Sequence, residues 1–483
     1  MKKGNQMILK QILVILLVGV AYSGNLLSQN TSFSRGKMLT KENAIEDFGI
    51  LHSSLINYHP APFFYVNEVD FTTFYESQKA SITDSLSEMD FLFLCRKLVS
   101  QIRCGHTQAL PSDNWFASVK GLDNQIPFEM KHVEGKIYIS NTVDDSLDFQ
   151  INDELISVNN RPVQDIIDEL LAMETGDGFT QVFRNALIEK RFGIYMLFLS
   201  GIPQEYVIEF RNSKGEIKQT AVQPTKKRAV ELVKPALPDN LNKILETSWS
   251  SFSFDSEANL GYLRIRSFME KKEYKKYYKQ VFKYLKQHPN SKLIIDLREN
   301  SGGDFRHGNR FLTYLSSEKV LLNFERPGKK RTENEYVKYS GWDKLVQFAF
   351  AIKPRKYKAE GQITETFTYR PKKNAFKGKL YVITNGITFS QAALVSSHLR
   401  EHGAVFFGQE TGGAELGCNG ILTYKLVLPN SGIKLDIPAY HVKSNSTKGE
   451  FGRGVKPDFP IALTVDNTID HTLMEVLRIV RNN

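Results

Sequence analysis

The sequence predicts an α/β protein with three domains. Its 483 residues exceed what one hydrophobic core usually supports, so two or three domains are expected. Helical patterns dominate the first part of the chain, short strands follow, and strands then alternate with helices over the second half. Such alternation is typical of an α/β layer architecture. We therefore expect a helical domain at 38–115, a β-rich domain at 120–225 and an α/β domain at 240–475.

The N-terminus has the features of a signal peptide, which we assign to 1–28. Lysines precede an apolar run at 12–20, and small residues follow it. This run is shorter than the roughly 20 residues that span a bilayer, so export to the periplasm or the outside is expected. An uncleaved anchor is the alternative, and it is the only way in which we expect membrane contact. No cysteine lies near the expected cleavage site, which argues against a lipoprotein anchor.

Charge and cysteine content exclude some partner classes. The net charge is +10, but the basic residues are spread along the chain and no nucleic-acid-reading motif is present, so we expect no nucleic-acid partner. Cys95, Cys104 and Cys418 make no disulfide framework; buried thiols are favoured, with a bridge between Cys95 and Cys104 as the alternative. No CxxC, HExxH or His-rich spacing suggests a metal site.

The helical domain contains two predicted helices, at 43–56 and 89–102, where apolar residues recur at helical spacing. Two prolines soon after residue 56 end the first pattern. The domain closes with Cys104-Gly105-His106-Thr107 at a helix exit. A histidine is by itself usually an ordinary surface or core residue, so His106 needs support from the rest of the chain.

Short strands separated by turn signals make up the β-rich domain, with one predicted helix at 163–173. The predicted strands are 126–130, 136–141, 154–158 and 205–211. The segment 151–163 resembles the strand, tight turn and helix of PDZ domains, with Asn152 and Asn160 where glycine is usual. Asparagine is a common alternative where φ is positive. A carboxylate-binding glycine loop is not evident, so peptide binding and a scaffold role both stay open.

The α/β domain begins after a linker rich in lysine and proline at 224–238. Its predicted strands are 261–266, 292–297 and 379–384, and its predicted helices are 273–287, 304–315 and 391–402. A long basic and aromatic excursion at 316–376 separates the second and third units. We expect this excursion to form an insertion or a lid.

Two turns follow predicted strands of this domain. Ser390 lies between the strand at 379–384 and the helix at 391–402, where a tight turn projects the hydroxyl out of the sheet as in a nucleophile elbow. Serine is also a preferred N-cap residue, and spacing alone does not separate the two interpretations. The turn Asn300-Ser301-Gly302-Gly303 has glycines that let backbone amides point outward, as an oxyanion hole requires. A simple strand-to-helix turn has the same pattern.

Five motifs, taken in order around the PDZ-like segment, resemble those of the C-terminal-processing and tricorn-type serine peptidases of family S41. They are Cys104-Gly105-His106-Thr107, the segment 296–303, Thr388-Phe389-Ser390, the segment 408–413 and Gly454-Val455-Lys456-Pro457-Asp458. The resemblance covers nearly the whole chain after the signal peptide. It implies a ClpP/crotonase-like catalytic domain with an N-terminal helical domain and a PDZ-like β-rich domain. It also implies peptide or unfolded-protein substrates and no metal or cofactor.

The resemblance further implies roles for single residues. The processing version of the family uses a lysine base shortly after a G-x-x-T turn, but 411–415 contains no lysine, whereas the tricorn-like version uses a histidine that His106 matches. The implied site residues are the nucleophile Ser390, the general base His106, the oxyanion-hole amides of Gln391 and of Gly303 or Gly302, and the acid Glu450. The spacing of Glu450 is one residue longer than expected, and a structural role is the alternative for Asp458.

Retention of the serine, the histidine and the glycine turn favours an exported serine peptidase that acts by Ser–His acyl transfer. Two other functions stay open: an inactive relative that binds peptides or apolar ligands, and a hydrolase of a non-peptide ester or amide. The last follows because the acyl chemistry is the same. The sequence does not indicate an oligomeric state.

Overall fold

A computed structural model describes 35–143, 146–226, 235–270, 272–327, 334–339, 356–357, 362–466 and 468–482. The predicted signal peptide therefore lies outside the described residues. The helices are α1 Lys41–Tyr58, α2 Glu68–Ala80, α3 Glu88–Gln101, α4 Asp113–Val119, α5 Val163–Met173, α6 Val182–Ser200, α7 Tyr274–Gln287, α8 Phe305–Leu312, α9 Gln391–Glu401 and α10 His471–Asn482.

The strands form four sheets. They are β1 Met38–Leu39, β2 Leu86–Ser87, β3 Gln108–Leu110, β4 Phe128–Val133, β5 Lys136–Thr142, β6 Glu154–Val158, β7 Arg161–Pro162, β8 Tyr206–Arg211, β9 Ile217–Val222, β10 Asn242–Glu246, β11 Ser250–Asp255, β12 Leu260–Ile265, β13 Lys292–Asp296, β14 Val320–Pro327, β15 Val337–Tyr339, β16 Lys356–Tyr357, β17 Gln362–Tyr369, β18 Leu380–Thr384, β19 Val405–Gly408, β20 Gly417–Val427, β21 Lys434–Lys443 and β22 Phe459–Pro460.

Helices α1 to α3 form the core of the helical domain, and each begins at a capping side chain. Thr40, Asn67 and Ser87 accept a hydrogen bond from the amide three residues further on, which satisfies an otherwise unpaired helix donor. Helices α1 and α3 confirm the two predicted helices. Helix α2 was not predicted, because only Phe71 and Tyr75 of its side chains are buried and the apolar stripe is too sparse to recognise.

A sheet with the order β4-β5-β6-β8-β9, with β7 beside β6, forms the β-rich domain. Asn152 and Asn160 have φ of 78° and 60°, as predicted for the PDZ-like turn. The prediction of one helix was wrong, because α6 is a second and longer one. Eight of its side chains are buried and the helix has only a weak polar face, so its sequence shows little helical periodicity.

The α/β domain is built on a sheet with the order β10-β11-β12-β13-β18-β19-β22, parallel from β12 onward. Helices α7, α8 and α9 supply one apolar core against it, and α10 packs in a second core on β12, β13, β18 and β19 residues. Strand β13 lies next to β18, so the turns that follow these two strands lie at one edge of the sheet. These are the turns that contain Gly302 and Ser390.

A second large sheet has the order β15-β20-β21-β14-β17-β16. It corrects the expectation of an insertion or lid at 316–376, because β14 and β17 are paired strands of this sheet and β14 also pairs with β21. The residues 328–333, 340–355 and 358–361 lie outside the described part of the chain. Strand β3, which follows His106 directly, pairs with β21 through Gln108 and Asp436. The helical domain is thus hydrogen-bonded to the C-terminal half of the chain.

Within the described ranges, no helix is long and apolar enough to cross a membrane.

Candidate active site

Ser390 occupies a strained turn between β18 and α9. Its φ is 53° and its ψ is −123°, a combination that non-glycine residues rarely adopt. Surrounding hydrogen bonds hold the turn in place: the Thr388 hydroxyl donates to Leu297 O at 2.9 Å, and the Phe389 amide donates to Asn300 O at 3.1 Å. The Ser390 side chain makes no capping hydrogen bond to α9. Ser390 therefore occupies the N-cap position of α9 without capping the helix, and its hydroxyl interacts elsewhere.

His106 is the partner of that hydroxyl. Its Nε2 lies 3.0 Å from Ser390 Oγ. The imidazole stacks on Phe389, the residue before the serine, with ring centroids 4.8 Å apart. Gly105 permits this approach, since a Cβ there would lie 2.6 Å from Phe389 Cζ. The structure thus brings together the two residues that the sequence proposed as nucleophile and base.

The environment keeps the imidazole uncharged. Burial lowers the pKa of His106 to about 4, because the apolar surroundings disfavour the cation. At neutral pH Nε2 therefore has a lone pair available to accept the Ser390 proton. The other ring nitrogen, Nδ1, is buried and has no hydrogen-bond partner among the described residues.

The glycine turn after β13 packs directly on the Ser390 turn. Gly302 has φ of 102°, and a Cβ on it would lie 2.8 Å from Gln391 N and 2.9 Å from Ser390 Cβ. Asn300 braces the turn, since its Nδ2 donates to Ile265 O and its Oδ1 accepts the Gly302 amide, both at 2.9 Å. The Gly302 amide is engaged in this way, so of the two glycines only Gly303 stays a candidate for the oxyanion-hole donor.

An acid that orients His106 is expected to be buried beside the imidazole, whereas Glu450 lies at the surface. Its side chain is 61% exposed and forms an ion pair with Lys456. The prediction rested on spacing along the chain, which does not state where a side chain points, and the contacts described for Glu450 do not include His106. Asp458 has the structural role given as its alternative: it accepts hydrogen bonds from the Phe406 amide at 2.7 Å and from Arg400 at 2.6 Å.

Asp177 is a carboxylate beside His106 that the sequence analysis missed. It is 1% exposed, and its Oδ1 accepts the amide of Gly105 at 2.9 Å. Its Oδ2 is buried without a partner among the described residues, as is His106 Nδ1. Burial raises the pKa of Asp177 to about 7. The signal in the sequence is Gly176-Asp177-Gly178, an acid between two glycines, which is too common in loops to be noticed alone.

Cys104 completes a group of three potential metal ligands. A sulfur, a ring nitrogen and a carboxylate oxygen lie within 4.8 Å of one another, contributed by Cys104, His106 and Asp177. A metal requires the thiolate, whereas burial and the nearby Asp177 raise the pKa of Cys104 to about 12. The surroundings therefore suit a neutral, hydrogen-bonded thiol better than a metal ligand. All three cysteines are free, so the Cys95–Cys104 bridge is absent.

The remaining motifs brace the site. Asp296 and Asp470 both bind the Arg298 guanidinium at 2.7 Å, which connects the end of β13 to the start of α10. Glu410 accepts the Gly454 amide at 2.7 Å and pairs with Arg453, so the segment after β19 is attached to the Gly454 turn. These contacts explain why charged residues recur in motifs whose side chains do not reach the serine.

Two regions of the chain match models of known protein families. Residues 259–461 match the family model for Peptidase family S41, and residues 122–239 match that for the PDZ domain. The α/β domain at 259–461 is thus a peptidase family S41 domain. Members of the family are serine proteases, and this S41 peptidase is a serine-type enzyme that carries a PDZ domain.

Solved structures share the fold of the S41 peptidase. The crystal structure of mature CPAF has a TM-score of 0.64 and 15% identity, covering 92% of this chain and 98% of its own. Mature CPAF complexed with lactacystin has a TM-score of 0.65 and 15% identity, covering 92% and 99%. These TM-scores show a shared fold, and at 15% identity the comparison shows the fold alone. Among curated proteins, none matches the chain significantly in sequence.

Proposed function

We propose that the chain is an exported serine peptidase that cleaves peptide bonds by acyl transfer through Ser390. The observation that supports this most is the 3.0 Å contact between Ser390 Oγ and His106 Nε2 across 284 residues of sequence. A ligand-binding role alone does not need a neutral base beside a hydroxyl on a strained turn. The contact therefore favours an active peptidase over an inactive peptide-binding relative.

In the proposed reaction, His106 Nε2 takes the proton from Ser390 Oγ while Oγ forms a bond to the scissile carbonyl carbon. The carbonyl π electrons move to its oxygen, which the amides of Gly303 and Gln391 stabilise. Collapse of this intermediate breaks the C–N bond, and the leaving amine takes the proton from His106. Water then attacks the acyl-enzyme with the same base, which releases the carboxylic acid and restores the serine.

Asp177 positions His106 in this proposal, in the role that the sequence analysis gave to Glu450. Its unpartnered Oδ2 and the unpartnered His106 Nδ1 are both buried, and the two residues belong to one close group. The two atoms are not hydrogen-bonded to each other in the structure; in the proposed substrate complex Nδ1–H donates to this carboxylate, which selects the tautomer that leaves the Nε2 lone pair toward the serine. It also stabilises the imidazolium that forms when the proton is transferred.

Replacement of either reacting residue tests the proposal. Ser390→Ala and His106→Ala are each expected to lower kcat for peptide hydrolysis at least about a thousandfold, because they remove the nucleophile and its base. Ser390→Ala also abolishes covalent labelling by a fluorophosphonate. The matched control is Ser396→Ala in the same helix, where the hydroxyl is engaged in a 2.9 Å hydrogen bond to Ala392 O. Labelling that survives in Ser390→Ala but is lost in Ser396→Ala would contradict the assignment.

Export is part of the proposal, and it rests on the lysine-flanked apolar run at 12–20. Mass spectrometry of the mature protein is expected to find an N-terminus near residue 28. A mature chain that begins at Met1 and stays with the membrane fraction would instead support the uncleaved anchor.

A further inference from the structure

Four aromatic side chains come together beside the site, and three of them are well exposed. Phe64, Phe179 and Phe451 are 38%, 40% and 50% exposed, and Tyr65 lies among them. The Tyr65 ring centroid is 5.2 Å from that of Phe451 and 5.9 Å from that of Phe179. Phe64 and Phe451 are 5.3 Å apart. We call these four residues the aromatic cluster.

The aromatic cluster is assembled from three segments that are distant in sequence, so it depends on the tertiary fold and not on a local run of aromatic residues. Phe64 and Tyr65 follow α1, Phe179 lies between α5 and α6, and Phe451 lies between β21 and β22. The Phe179 amide donates to Gly452 O at 2.7 Å. A Cβ on Gly452 would lie 2.3 Å from Phe179 Cδ2, so only glycine lets this ring lie against the backbone.

The aromatic cluster is continuous with the catalytic residues on two sides. On one side, Phe179 is two residues after Asp177, and the charge of Asp177 acts on the Tyr65 hydroxyl. On the other side, Phe64 packs on His441 with centroids 4.8 Å apart.

The contact through His441 leads back to the base. His441 Nδ1 lies 3.0 Å from Asn419 Oδ1. A Cβ on the next residue, Gly420, would lie 3.7 Å from His106 Nε2. These contacts connect the exposed ring of Phe64 to the base through His441, Asn419 and Gly420.

Charges around the rings select against a basic ligand. The Arg103 guanidinium lies over the Phe179 ring, 4.8 Å from its centroid. Glu450, the acid next to Phe451, is already paired with Lys456. A lysine or arginine side chain of a substrate would be repelled by Arg103, and Glu450 would not be free to pair with it. An apolar side chain would instead cover the exposed rings and gain burial energy.

We propose that the aromatic cluster is the subsite for a bulky apolar side chain of the substrate, aromatic or long aliphatic, next to the scissile bond. The inference rests on the proposed peptidase function and adds its substrate class. Exposed aromatic rings of this kind bind through area burial and ring stacking, which suits phenylalanine, tyrosine, leucine or methionine.

Two fluorogenic peptides that differ at one position test the proposal. A cleavage profile of wild type with a peptide library first locates the preferred position; one peptide then carries phenylalanine there and the other alanine. Wild type is expected to prefer the phenylalanine peptide. Phe451→Ala is expected to lower the ratio of the two kcat/KM values about tenfold, mainly by raising KM for the phenylalanine peptide.

Phe459→Ala is the matched control, because Phe459 is 45% exposed but stacks on Phe407 at the edge of the catalytic sheet. It is expected to leave the ratio unchanged. A wild-type preference for lysine or arginine would overturn the proposal, and so would an equal loss on both peptides in Phe451→Ala. If wild type cleaves no peptide and no fluorophosphonate labels Ser390, the peptidase function itself fails, which is a different result.

Discussion

The backbone conformation of Ser390 directs its hydroxyl toward His106. A non-glycine residue at φ 53° and ψ −123° costs about 1–3 kcal/mol, which the rest of the structure has to supply. The strain turns Oγ away from α9 and toward His106. The same conformation explains why the helix does without a serine cap, although the sequence offers one.

The pH dependence of the enzyme is expected to depend on Asp177. Above its pKa of about 7, the ionised carboxylate stabilises the imidazolium of His106; below it, the neutral acid does so poorly. The value of kcat/KM should therefore rise with pH through about 7 and fall as pH drops below it. In Asp177→Asn we expect a loss of roughly a hundredfold or more at pH 8 and no inflection near 7. The acid limb should move toward the lowered pKa of His106, about 4.

Measurement of kcat/KM from pH 5 to 9 checks this prediction, with Glu450→Gln as the control. Glu450 is exposed and paired with Lys456, so its variant is expected to keep both the inflection and the plateau. The other acids that face Asp177 are Tyr65, Cys104 and Cys418, and burial raises the pKa of each, so none ionises near pH 7. An inflection near 7 that persists in Asp177→Asn and disappears in Glu450→Gln would reverse the two roles.

At the residue scale, the sequence indicated Ser390 and His106, which the structure brings into contact, but not the carboxylate beside them. Ser390 and His106 lie in short motifs whose neighbours are glycine or small polar residues, so local patterns suffice to find them. Asp177 was missed because its role depends on a loop that folds back to the Gly105 amide, 72 residues away. Glu450 was chosen by spacing, and its side chain points to Lys456 instead.

The turn after β13 packs directly against Ser390, so the geometry of the site depends on the shape of this turn. Gly302→Ala is expected to lower kcat at least about a hundredfold, because its Cβ would displace Gln391 N and Ser390 and with them the oxyanion donors. Gly215→Ala is the control, because Gly215 also has a positive φ, 81°, but nothing lies within 4 Å of its Cβ. It shares the backbone strain and not the steric clash.

Assay of both variants for peptide hydrolysis and for unfolding in urea separates the two effects. Gly215→Ala should lose about 1 kcal/mol of unfolding free energy and keep its kcat. Equal kcat in the two variants would show that the approach of Gly302 to Ser390 does not matter for the reaction.

Elements with strong periodicity were predicted well, and elements without it were not. Helices α3 and α7 have clear apolar stripes and were placed within about two residues. Helix α6 is apolar on most of its surface and α2 is apolar on little of it, so neither shows a helical period. Local patterns report amphipathic elements, which are only part of this fold.

On the scale of the whole molecule, docking of the helical domain places the base. Asp47 of α1 is fully buried and accepts hydrogen bonds from the amides of Asn430 at 3.0 Å and Ser431 at 2.6 Å, in the turn between β20 and β21. Asp47→Ala is expected to lower the unfolding free energy by about 3 kcal/mol, because it leaves buried donors without acceptors. It should also lower kcat, since His106 belongs to the domain that this contact holds.

Glu46→Ala is the comparison, because Glu46 also accepts from Asn430 Nδ2 at 3.0 Å but is exposed to solvent. Its effect on the unfolding free energy is expected to stay within about 0.5 kcal/mol. Urea denaturation and peptide hydrolysis measured on the same preparations give both numbers. Equal losses in the two variants would remove Asp47 from the docking contact.

The order of the domains was predicted, but the sheet that joins them was not. Strand β3 lies in the helical domain and β21 more than 300 residues later, and only their pairing completes the second sheet. A pairing between such distant strands leaves no trace in local periodicity, which is why 316–376 was taken for an insertion. The resemblance in motif order indicated which parts are present, but it did not indicate their contacts.

Strand β3, which follows His106, finds its partner β21 only late in the synthesis of the nascent chain on the ribosome. Synthesis proceeds at about 5–20 residues per second, so roughly 15 to 60 seconds pass between the emergence of the base and that of the nucleophile. The two residues are 284 positions apart, the whole PDZ domain lies between them, and β21 comes later still. Through that interval the nascent polypeptide lacks the Ser390–His106 pair on which the proposed activity depends, so under that proposal it gains the power to cut proteins only when nearly all of it has been translated.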